Sequence, residues 1–145
     1  MSVLTHIVVA DEDDIEAIGE SLQPTDEWSG IEMRDVDTAK IATLHCLLTG
    51  DLFDDAVAHY EPVYVSDAEG AVILRLADEL TERLAALDED RLDDVALELA
   101  ATEEFEDAGW EDEAIAAMLA DLAELARLAE SQEQALLVWM HPLRT

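Results

Sequence analysis

Lysine is almost missing from this chain: Lys40 is the single lysine, and lysine and arginine together number only 7 in 145 residues. A protein that binds nucleic acid neutralises phosphates with such cations, so nucleic acid is excluded as a partner. Cysteine is equally scarce. Cys46 is alone, so no intramolecular disulfide can form. Three prolines and five glycines leave no stretch for a low-complexity linker. No apolar run approaches the roughly 18 residues of a membrane span, and a surface anchor would need a basic polar face. A basic n-region followed by an apolar run is also lacking at the N-terminus. The expectation is a cytoplasmic protein without membrane association. There is no glycine-rich phosphate loop and no G-x-S-x-G elbow, so no cofactor is expected.

What the chain has in excess is acid. Aspartate and glutamate total 37, giving a net charge of -30. A chain of this length folds to a radius of roughly 19 Å. Smeared over that sphere, the charge costs on the order of 30 kcal/mol at 0.15 M salt and about half as much at 1 M. The unfolded chain repels itself less because it is larger. The difference rivals a whole domain's stability of roughly 5–15 kcal/mol. Concentrated salt is therefore the environment this composition suits, as in the cytosol of a halophile. The alternative is an acidic mimic of nucleic acid that sequesters a basic partner. A mimic gathers its carboxylates on one face, whereas here they lie on the solvent side of every expected helix.

Half the residues are apolar, which argues against disorder. Val3 to Ala10 is apolar on both alternations, as a strand covered on both faces should be. A helix follows from Asp11–Asp14 to Gln23, stopped by Pro24. Trp28 to Val36 alternates as a half-exposed strand, with Ile31 and Met33 on one side. After a connection with one turn at Phe53–His59, Pro62–Val65 reads as a short strand or an extended lead-in. Ser66 and Glu69 form a capping box ahead of a helix carrying Ile73, Leu76, Leu80, Leu84 and Leu87. Two further helices are expected, over Asp90–Phe105 and Glu113–Glu130. Ala135–Met140 closes the chain as a buried strand lying beside the first.

The stretch Asp37–Asp51, DTAKIATLHCLLTGD, organises the rest. Asp37 or Thr38 can cap its first turn, and Gly50 stands where a left-handed residue closes a helix. Ile41, Leu44, Leu47 and Leu48 fall on one face, so Leu44, Leu47 and Leu48 are expected against the sheet. Its ending, LHCLLTGD, resembles the LHxLLTG signature of the YfbM-like family, small bacterial and archaeal proteins whose domain has no assigned function. The similarity extends to the region of Trp110 and to the late segment LLVWM. A family tryptophan in the first turn of this helix is replaced here by Thr38–Lys40. The resemblance implies a compact α/β domain and supplies no catalytic residue.

Chemistry is harder to find. Asp11, Asp13 and Asp14, and likewise Asp88, Asp90 and Asp93, lack the glycine and terminal glutamate of a calcium loop. Both clusters sit where helices begin, and capping explains them. His6, His45, His59 and His141 show no metal-ligand spacing, so no metal site is expected. His45 adjoins Cys46, but neighbours on a helix point about 100° apart, which argues against a catalytic pair. Trp139 belongs to the core by its strand setting. Trp28 and Trp110 lie in polar surroundings, as lids over the core or as recognition residues.

The sequence thus specifies a single helix-rich α+β domain over residues 1–145. Its small sheet has the first and last strands at the centre, packed by about five helices. The function it favours is a non-enzymatic binding or interaction module adapted to high salt, with another protein as its partner. The candidate binding residues are Trp28, Lys40, His45 and Trp110, and no residue is assigned a catalytic role. The alternative is a hydrolase-type enzyme using His45 with a carboxylate; a cleft joining His45 to Lys40 would favour it.

Overall fold

The computed structural model describes residues 4–21, 24–34, 36, 38–66, 70–106 and 109–141, with the Arg34 side chain excepted. The expected cap Asp37 and the helix end Gln23 lie outside these residues, as does Glu69 of the expected capping box.

All seven residues of β1 (Leu4–Ala10) are buried. That is why its sequence is apolar on both alternations. It pairs antiparallel with β2 (Ser29–Arg34) on one side and with β5 (Ala135–His141) on the other. β4 (Val72–Arg75) flanks β5, and the two-residue β3 (Tyr64–Val65) forms the far edge, giving the order β2-β1-β5-β4-β3. The first and last strands are central, as the sequence indicates.

Each face of the sheet has its own core. Leu4, Val8, Ile73, Leu137 and Trp139 point one way, under Ile18 of α1 (Ile15–Glu20) and beside Trp28. The short α2 (Pro24–Glu27) covers the same side. Ile7, Val9, Leu74, Leu136, Val138 and Met140 point the other way into the main core. There α8 (Asp112–Gln132) lies on the sheet, and α5 (Asp78–Ala85) and α6 (Glu89–Ala100) pack on α8. The outer side is completed by α3 (Thr38–Thr49), α4 (Phe53–Ala58) and α7 (Glu103–Glu106).

Two expectations need correction. The apolar run after Ser66 is not the start of a helix. Ser66 N–H donates to the Ala71 carbonyl and Gly70 N–H to that of Ser66, making a turn between β3 and β4. Val72 and Leu74 face the main core while Ala71 and Ile73 face the other. A strand buried on both sides is continuously apolar, and periodicity alone cannot tell it from a buried helix. The helix begins only at Asp78. The second correction is the helix count: eight among the described residues rather than about five. Four of them have six residues or fewer, too short to show a period.

Capping accounts for one acidic cluster only. The Asp88 carboxylate accepts from Arg91 N–H at 2.8 Å at the start of α6. Asp11 and Asp14 make no such bond. No described helix is long and apolar enough to cross a membrane.

Candidate functional site

The helix α3 is enclosed rather than one-faced. Residues 40 to 45 are all buried, because α4, α5, α6 and α7 surround it. Leu44 and Leu48 are buried as expected, but Leu47 is only half-buried. The neighbours of α3 are mainly helices, and its buried Leu44 and Leu48 share the main core with Ile7, Val9 and Val138 of the sheet.

At its C-terminal end Gly50 takes φ +83°, and its N–H closes on the Cys46 carbonyl at 2.9 Å. This left-handed residue turns the chain so that Asp51 comes back over the last turn. There His45 Nε2 lies 2.7 Å from Asp51 Oδ2, and His45 Nδ1 lies 2.8 Å from the Tyr60 hydroxyl. A carboxylate can only accept, so Nε2 carries hydrogen and donates; in the neutral ring Nδ1 then accepts from the phenol. His45 is 1% exposed and Tyr60 2%, while Asp51 is half-exposed. His59 caps the C-terminus of α4, its ring centroid 5.1 Å from that of His45.

These contacts set the local charge states. The hydrogen bond from His45 holds the Asp51 carboxyl below its ordinary value, with Thr49 and His59 acting in the same direction. Burial pushes the Tyr60 phenol well up, against the lowering effect of a hydrogen bond from the Ala77 backbone. Burial, and then the Asp51 charge, also raises the Cys46 thiol. A raised thiol is a poor nucleophile.

The three groups His45, Asp51 and His59 place one donor atom each within 4.8 Å of one another. Spacings of six and eight residues carry no metal signature in a sequence. The helix end, the Gly50 turn and the short α4 bring them together. The signal that was available is LLTGD itself, where a glycine C-cap followed at once by an acid folds that acid back towards the helix.

The other sequence candidates lie elsewhere. Lys40 Nζ stands 6.0 Å from the centroid of the Phe105 ring, and Trp110 meets the same ring edge-on at 5.5 Å. The structure thus joins Lys40 to Trp110 through Phe105. Trp28 packs half-buried on the far side of the sheet. His6 and Trp139 face each other across β1 and β5 with centroids 4.9 Å apart, wholly buried.

Exposed apolar side chains are concentrated in one stretch of the chain. Leu52, Phe53, Val57, Val63 and Val65 are exposed, and all fall within residues 52–65; beyond that stretch only Leu97 joins them among the described large hydrophobics.

Comparison with protein-family models and with curated proteins gives no match. Among solved structures the chain is similar to YfbM from Escherichia coli, a protein of unknown function. The likeness covers 94% of this chain and 99% of that one, at 16% identity and a TM-score of 0.48.

Proposed function

We infer that this chain is a non-catalytic protein-binding module that works in concentrated salt, in the cytoplasm. One observation carries the reading: the run of exposed apolar side chains from Leu52, just before α4, at 75% exposure to Val65 in β3 at 54%. In molar salt charges are screened beyond roughly 3 Å, so specific recognition there falls to apolar contact. The occupant argued for is a different protein with an apolar face.

The setting of His45 also supports a binding role over hydrolysis. Both its nitrogens are engaged, and Lys40 belongs to a different part of the helix surface. The test is affinity purification in molar KCl with the wild-type chain and a Leu52→Ser/Phe53→Ser variant of equal thermal midpoint. A stoichiometric partner retained by the first and lost by the second is expected. Equal retention by both would overturn the reading.

A further inference from the structure

We propose that His45, Asp51 and His59 form a binding site for a divalent transition metal of the zinc class. Two imidazoles and one carboxylate are a donor set for such ions. Calcium and magnesium prefer oxygen ligands throughout and fit it poorly. The three side chains come from the last turns of α3, the loop after Gly50 and the C-cap of α4. Their donor atoms lie within 4.8 Å of one another, and His45 Nε2 to Asp51 Oδ2 is already 2.7 Å. Donors that each stand about 2.1 Å from one ion are at most about 4.2 Å apart. Closing that gap falls to His59, which is exposed and has a ring to turn.

His45 is held for this task from behind. Tyr60 fixes the ring through Nδ1 and leaves Nε2 directed at Asp51 and the surface. Metal at Nε2 requires the hydrogen to sit on Nδ1. The phenol can accept as well as donate, so it serves either tautomer. With Asp51 half-exposed and His59 exposed, water would complete the shell.

The site has a mechanical consequence. Asp51 and His59 bracket Leu52, Phe53 and Val57, so a shared ion would clamp α4 to the end of α3 and fix the exposed apolar side chains. This last step rests on the docking role inferred above; the site itself does not.

The experiment titrates the intact chain, first treated with a chelator, with Zn2+ in molar KCl, which suppresses loose binding by the acidic surface. Binding is read by competition with a chromophoric chelator, and Co2+ serves as a spectroscopic probe. One Zn2+ per chain is expected, unaffected by excess Ca2+, with a raised thermal midpoint. His59→Ala should weaken it by more than the about 10–100-fold lost when a residue behind a ligand is removed. His59 is exposed, so the metal-free variant should unfold where the wild type does; Asp51→Asn is the second variant. Absence of stoichiometric binding overturns the site, as does binding of several ions per chain that His59→Ala leaves unchanged. Either failure would leave the apolar surface and its own test untouched.

Discussion

Tyr60 and His45 are fifteen residues apart in the chain and 2.8 Å apart at their polar tips, phenol oxygen to Nδ1. Both are buried, so neither group has water to fall back on. This bond ties α4 to α3 and sets the direction in which the imidazole presents Nε2.

Tyr60→Phe should therefore cost about 1–3 kcal/mol, the usual cost of leaving a buried polar atom unpartnered. Unfolding by denaturant in molar KCl would measure it. The pH dependence has a definite sign. Because burial raises the phenol, the fold prefers it neutral. That contribution is whole below about pH 10, where an unfolded tyrosine titrates, and is lost as pH climbs further. Wild type should lose more stability than Tyr60→Phe between about pH 9 and 11. Parallel losses would mean that another group controls the alkaline limb.

Cys46 should be slow to react. It is half-buried, and burial together with the Asp51 charge raises its thiol. Labelling of the native protein should run well below the rate of the unfolded chain, followed by mass spectrometry at neutral pH. Native labelling as fast as in denaturant would contradict both the burial and the raised thiol.

Salt should stabilise the fold throughout. With a net charge of -30, the thermal midpoint is expected to climb from low salt to molar KCl. A flat or falling midpoint across that range would remove the physical ground for adaptation to high salt. Mild acidification at low salt should act in the same direction, since protonating exposed carboxylates relieves the same repulsion.

The central strands were legible in the sequence because burial on both faces leaves a distinctive run, as in Leu4–Ala10 and Ala135–His141. That same signature misled at Ala71–Leu76, where a capping pattern at Ser66 made a buried strand resemble a helix. The left-handed end of α3 at Gly50 was readable from residue type alone. What followed from it was not. Asp51 and His59 reach His45 only through a turn and a six-residue helix, and neither element carries a period. Lys40, a candidate binding residue off the leucine face, is buried, with the Phe105 ring of α7 beside it from sixty-five residues further along.

Glu133 closes α8 with φ +57°, a left-handed conformation that costs a residue with a side chain about 1 kcal/mol. Its neighbour Gln134 N–H returns to the Ala129 carbonyl at 2.8 Å, completing the end of the helix. Glu133→Gly should raise stability by about 0.5–1 kcal/mol. Glu133→Gln is the control for the lost charge, and in molar KCl it should gain less. If the two variants gain equally, charge rather than backbone strain explains the effect.

The last expectation separates two leucines of one helix. Leu44 is 4% exposed and belongs to the main core, whereas Leu47, on the same expected face, is only half-buried. The difference follows from what surrounds α3: helices on several sides give most room to the core positions and leave Leu47 towards the margin. Leu44→Ala should cost about 2–5 kcal/mol, the range for emptying a buried leucine. Leu47→Ala should cost clearly less, since water already reaches part of its surface and less apolar area is lost. Denaturant unfolding in molar KCl gives both values with repulsion screened. If Leu47→Ala proves the costlier, the packing of α3 among α4 to α7 is wrong, and its contact with the sheet is the closer one.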